Sequence, residues 1–191
     1  NLQERKDVMK YIKYEGVLDA PLSGGLTNSF TYKDFSFSFG FVFRAGNVIR
    51  LDDLFSSSYT GYTSLSRDME NRWIVPGDEL LTNVPTIVDR RFNRDLDAQD
   101  LNLYEMYNKS DVRVADGSFL RLKTISLGYN IPVQASNILG VHSARVSLQV
   151  QNVLLLYSDK KLNGLDPEFY RSGGVALPTP RTYSFSVNIG F

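Results

Sequence analysis

The sequence has no cysteine, one histidine (His142) and one tryptophan (Trp73). Without cysteine there is no disulfide framework, no thiolate zinc site and no cysteine nucleophile. A lone histidine gives little support to a catalytic triad or a histidine metal site, and His142, at the start of an apolar/polar alternation, reads as a surface residue. Neither charge prevails: Lys+Arg and Asp+Glu are 21 each, so no net field draws in nucleic acid, and no nucleic-acid partner is expected. No apolar run approaches the roughly 18 residues of a membrane-spanning helix. Mean hydropathy is −0.21, which a sliding window reads as soluble. Barrel strands escape that window, because each alternates lipid-facing with lumen-facing residues. Nothing like a signal peptide follows Asn1, and the chain is expected to be part of a longer one.

What the sequence does have is aromatic residues, 13% of the chain, with 12 Phe and 11 Tyr. Ring-rich, β-branched composition favours strands. The strongest periodic signal is Phe35, Phe37, Phe39, Phe41 and Phe43 alternating with Ser36, Ser38, Gly40, Val42 and Arg44. A second comb closes the chain, with Tyr183, Phe185, Val187, Ile189 and Phe191 against Thr182, Ser184, Ser186, Asn188 and Gly190. Between them, Ala144, Val146, Leu148 and Val150 alternate with Arg145, Ser147, Gln149 and Gln151. These patterns predict strands near 24–33, 34–44, 117–130, 141–152 and 181–191. Within 117–130 the parity changes: Leu120 and Leu122 share one face, Ile125, Leu127 and Tyr129 the other. Either a bulge near Thr124 or an upper half outside lipid accounts for that. Residues 8–14 admit a short strand or a helical turn.

The polar partners of the combs are mostly Ser, Thr, Asn and Gly, which suit a crowded lumen better than the long charged residues of a soluble sandwich. Burying one phenylalanine stabilises by roughly 1.5–3 kcal/mol, so five of them require about 10 kcal/mol of apolar surroundings. Connections alternate in length: tight at Lys33–Asp34, short over 131–140, long over 46–116 and 153–180. Short turns on one rim and long loops on the other are the pattern of outer-membrane barrels, with the long loops extracellular. The expected fold class is therefore all-β, a segment of an antiparallel up-and-down transmembrane β-barrel, about five to six strands. Because the smallest bacterial barrels need about 8, the rest of the wall must lie elsewhere. The competing architecture is a soluble β-sandwich, such as a carbohydrate-binding module, in which the combs face each other across two sheets.

Four ordered stretches carry a family resemblance. GSFLRLKTISLGYNIP (Gly117 to Pro132), ILGVHSARVSLQVQNVLLL (Ile138 to Leu156), GLDPE (Gly164 to Glu168) and PTPRTYSFSVNIGF (Pro178 to Phe191) resemble the carboxy-terminal region of SusC/RagA-type TonB-linked outer-membrane transporters. The run Gly24 to Phe41 is similar to the hairpin further upstream. The resemblance implies a roughly 22-stranded barrel and import of oligosaccharides or peptides beneath a SusD-like surface lipoprotein lid. It also implies contact with the TonB complex through an amino-terminal part absent from these residues. Recognition by the barrel-assembly machinery is implied for the terminal comb, Tyr183, Phe185, Val187, Ile189 and Phe191. Both Phe combs are expected to face outer-membrane lipid.

Few chemical motifs compete with this. Asp52, Asp53, Asp95, Asp97 and Asp100 read as solvated loop charge rather than paired catalytic carboxylates or Ca²⁺ ligands. Asp166-Pro167-Glu168 reads as turn architecture. Trp73, Tyr59, Tyr62, Tyr104 and Tyr107 lie in the large loop, where aromatic faces can stack on a ligand, meet the lid or simply pack. No catalytic residue, metal or cofactor is expected, and the chain does not read as an enzyme.

Overall fold

A computed structural model of the chain describes residues 10, 12–56, 62, 64–88, 91, 103–132, 140–170 and 178–191. Five long strands, β1 (Leu22–Tyr32), β2 (Phe35–Ala45), β5 (Phe119–Ile131), β6 (Ser143–Tyr157) and β7 (Thr182–Gly190), form one sheet in the order β1-β2-β5-β6-β7. Every neighbouring pair is antiparallel. Short strands β3 (Val48–Arg50) and β4 (Val114–Asp116) form a separate two-stranded sheet, and an α-helix, α1, spans Leu103–Lys109. The chain divides into two compact units: a sheet unit of Gly16–Ile49 and Asp116–Phe191, and a loop unit of Asn1–Glu15 and Arg50–Ala115.

In the sheet unit, alternation sets the strands and two devices keep their faces consistent. Lys33 takes a left-handed backbone (φ 51), which closes Tyr32 onto Phe35 with only Lys33 and Asp34 between them. The parity change in β5 is resolved by bulges. Gly40 pairs with Thr124 and Phe41 with Leu122, so Lys123 is an extra residue on β5. As a result Leu120, Leu122, Ile125, Leu127 and Tyr129 all lie on the face of the β2 phenylalanines, and the bulge reading applies. A matching irregularity on β6 pairs Thr124 with Gln151 but Leu122 with Leu154, around Asn152 in a left-handed conformation (φ 53). That local twist lets β6 run on to Tyr157, five residues past the expected end at 152. Residues 153–157 thus belong to a strand rather than to the loop.

The stretch 46–116, which reads as one polar excursion, contains a packed core of its own. Leu54, Phe55 and Met69 are buried together, with Val84, Tyr104 and Tyr107 packed against them. Asn108 ties this cluster to the backbone: its Oδ1 accepts from Leu54 N (3.0 Å) and Phe55 N (3.1 Å), and its Nδ2 donates to Phe55 O (2.8 Å). Buried Arg113 donates to Asp68 Oδ2 at 2.8 Å and to the Asp52 carbonyl at 2.6 Å. Each is a buried polar group whose partners offset desolvation. Residues 8, 9 and 11, Tyr59, and Asp95, Asp97 and Asp100 lie outside the described residues; residues 12–14 are neither strand nor helix.

Candidate functional site

Strand registers assign every sheet side chain to one of two faces, because successive residues point oppositely. Across the strands, Tyr32, Phe35, Tyr129, Val146 and Val187 form one row; Phe30, Phe37, Leu127, Leu148 and Phe185 the next; and Asn28, Phe39, Ile125, Val150 and Tyr183 a third. Phe41 and Phe43 continue the face beside Leu122 and Leu120. This face is apolar except for Asn28 and Gly24 on β1. Its rings touch: Phe37 and Phe39 centroids are 5.8 Å apart, Phe39 and Phe41 5.4 Å, Phe35 and Tyr129 4.5 Å. Yet much of it is uncovered, with Phe185 69% exposed and Tyr183 66%. None of the comb aromatics is in the buried core, which holds residues such as Ile49, Phe55 and Leu162 instead. No second sheet lies on the combs among the described residues, so the two-layer sandwich is not the architecture observed. Phe191, beyond the end of β7, is 91% exposed.

The opposite face is mostly Ser, Thr, Gly, Asn and Gln, with three arginines, Arg44, Arg121 and Arg145, and with Val42, Phe119 and Leu155 grouped near Arg121. Arg145 reaches from β6 across β5 to β2, donating to Ser36 Oγ at 2.8 Å and Asn130 Oδ1 at 3.2 Å. Gly128 makes the crossing possible, since a Cβ there would stand 2.6 Å from both Arg145 Nη2 and Ser36 Oγ. Arg121 is buried. It donates through Nη2 to Asp166 Oδ2, and its Nε lies 3.3 Å from Glu168 Oε2. Both its guanidinium and that of Arg44 lie against the Phe119 ring, at 5.8 and 5.9 Å from the centroid. Asp166 also builds a turn, accepting from Glu168 N (3.0 Å) through Oδ1 and from Phe169 N and Tyr170 N through its carbonyl. The Asp-Pro-Glu motif is therefore a turn and half of a buried ion cluster at once. An open cleft of 320 Å³ beside it is lined in part by Asp19, Ser23, Arg44, Asn47 and Glu168.

Arg121 was the residue that sequence reasoning passed over. Its signal is an arginine between two leucines in a strand, where only a buried counter-ion or a polar face can accommodate it. Among the loop aromatics, Tyr104 stacks on Phe55 at 4.4 Å and 14°, and its hydroxyl joins Thr86 O and Val88 N. Tyr107 meets the same ring edge-on at 5.4 Å, and burial raises its phenol pKa. Trp73 is partly buried, its indole N–H donating to Val75 O, whereas Tyr62 is fully exposed. Among the described residues no group of carboxylates and histidine has metal-binding geometry. No described helix is long and apolar enough to cross a membrane, which leaves strands untouched.

One antiparallel sheet, apolar on one side and polar on the other, defines a segment of transmembrane β-barrel wall. No family model matches the chain. Two curated proteins of Formosa agariphila do: TonB-dependent receptor P26, 30% identical over 92% of this chain, and TonB-dependent receptor P3, 28% over 87%. The chain spans 18% and 16% of their lengths. Solved structures of the RagAB peptide importer in its open-open state and of the RagAB peptide transporter superpose with a TM-score of 0.63 each at 22% identity. They cover 94% and 93% of this chain and 18% of theirs. By sequence the chain belongs to the TonB-dependent receptors, and it shares its fold with the matching part of the RagAB structures.

Proposed function

We propose that this chain forms part of the wall of an outer-membrane, TonB-dependent nutrient importer, its comb side chains solvated by lipid and its Ser/Thr/Gly face lining the lumen. The observation that carries the proposal is the exposed, continuous apolar face across all five strands. Water penalises such a surface, and hydrocarbon does not. The Lys33–Asp34 turn then lies at the periplasmic rim, with 46–116 and 158–181 outside. Phe191 sits at the end of the terminal comb, where the barrel-assembly machinery reads its substrates.

The imported ligand is an oligosaccharide or a peptide. Likeness to a peptide importer supports the second, and a SusD-like lipoprotein lid accords with the same likeness. Engagement with the TonB complex belongs to parts of such a transporter outside these strands. The wall reading is tested in the parent protein with Phe39→Arg against Ser38→Arg. At mid-height a lipid-facing arginine costs about 2–4 kcal/mol, so F39R lowers the yield and urea resistance of the membrane-inserted barrel while S38R leaves them nearly unchanged. Equal tolerance of both would end the assignment of faces.

A further inference from the structure

Alternation decides which way each side chain of β7 points, but it fixes the pairing of β7 with β6 only to within steps of two residues. In the observed register Val146 pairs with Val187, Leu148 with Phe185 and Val150 with Tyr183. A slide of two residues sets Val146 opposite Phe185 and Leu148 opposite Tyr183, apolar on apolar again. The other face discriminates no better. Ser147 pairs with Ser186 and Gln149 with Ser184, and after the slide Ser147 meets Ser184 and Gln149 meets Thr182. Yet such a slide moves the whole terminal comb about 7 Å along its neighbour. Side-chain polarity therefore does not select the register.

The two ends of the pairing do. At one end the ladder stops after Gln151 and Thr182; two positions further the chain reaches Pro180, which has no N–H to donate. Arg181 supplies a donor instead, its Nη2 bonding the Val153 carbonyl at 2.6 Å. Asn152 answers from β6: its backbone is left-handed (φ 53), and its Nδ2 donates to the Pro180 carbonyl at 3.4 Å. At the other end Ser143 sits against Gly190, where a Cβ would stand 2.6 Å from the serine Oγ. The Gly190 carbonyl also accepts from His142 N at 2.8 Å. Gly190 is the one glycine of β7, so this close seating belongs to a single register. We propose that Arg181 and Asn152, with Gly190 at the far end, form a clamp that sets the register of the terminal strand and so the height at which the comb ending in Phe191 stands.

The test uses the full-length parent transporter with paired cysteines as register reporters. Val146→Cys with Val187→Cys reports the observed register. Val146→Cys with Phe185→Cys, or with Ile189→Cys, reports a slide of two in either direction, because cysteines whose Cα atoms lie beyond about 7 Å do not bridge. Under mild oxidation of the membrane-inserted, heat-modifiable fraction, the intact clamp gives the 146–187 bridge almost exclusively. Arg181→Ala combined with Asn152→Gly, which keeps the left-handed backbone and removes the amide, raises the ratio of slid to observed-register bridges. The rise is about fivefold or more, the effect of losing one typical hydrogen bond, and each single variant gives a smaller one. If the double variant yields no folded barrel, the single variants carry the same readout. An unchanged ratio in the folded variants overturns the clamp. The readout depends on strand pairing alone, so a failed assignment of faces under Phe39→Arg leaves it standing.

Discussion

Arg121 holds the energetic centre of the polar face. Removing one partner of a buried ion cluster leaves the remaining charges desolvated and unpaired, which destabilises by about 3–5 kcal/mol. Arg121→Met in the parent barrel should therefore lower its unfolding midpoint in urea markedly, and the triple change that also converts Asp166 and Glu168 to Asn and Gln should restore much of the loss. Asp78 is the counterpart in the loop unit. The Val75 and Ile74 N–H groups hold its carboxyl below the ordinary carboxylate range. Because the folded pKa is the lower one, these bonds contribute fully above the unfolded value and are lost as pH falls through the depressed value. The protection of the Ile74 and Val75 amides relative to unstructured peptide at the same pH should hold at neutral pH and fall only under distinctly acidic conditions, as hydrogen exchange would show. Neither role could be read from residue type alone, since each depends on which backbone groups and which distant carboxylates the fold delivers to the site.

At the scale of elements, period-two alternation carried most of the information. The Phe35–Phe43 comb and the terminal comb fall in β2 and β7 because every second residue is apolar and no proline intervenes. Where alternation broke, at Leu122 and Thr124, composition could not distinguish a bulge from a change of surroundings. The answer lay in pairing with Phe41 and Leu154, which are distant in sequence. The same limit hid the core of the loop unit: Leu54, Phe55, Met69 and Tyr104 have no common period, and their association is set by Asn108 binding backbone more than fifty positions away. The bulge makes a specific prediction. Inserting one further residue after Lys123, with the bulge and the Thr124 pairing kept, rotates Leu120 and Leu122 to the polar side and Arg121 to the apolar side, so the insertion should abolish accumulation of folded barrel. Deleting Lys123, which leaves Leu120, Leu122 and Ile125 in plain alternation on one face, should not. Outer-membrane fractionation with a heat-modifiability gel distinguishes the two.

For the whole molecule, the proposed wall reading divides the labour between two solvents. Water drives burial in the loop unit, whereas among the described residues no protein layer covers the aromatic face of the sheet, and on that reading hydrocarbon covers it. Deleting Phe191 tests how the sheet reaches that solvent: if the terminal comb is the assembly signal, surface-exposed parent protein should fall severalfold while its synthesis is unaltered. Unchanged surface display would reduce Phe191 to an ordinary rim residue.

The order β1-β2-β5-β6-β7, antiparallel at every step, has an arithmetic consequence. Five alternating strands leave both outer edges travelling in the same direction, so they cannot zip to each other in the pattern they share with their neighbours. Any ring that contains them and keeps the alternation must insert an odd number of additional strands between those edges.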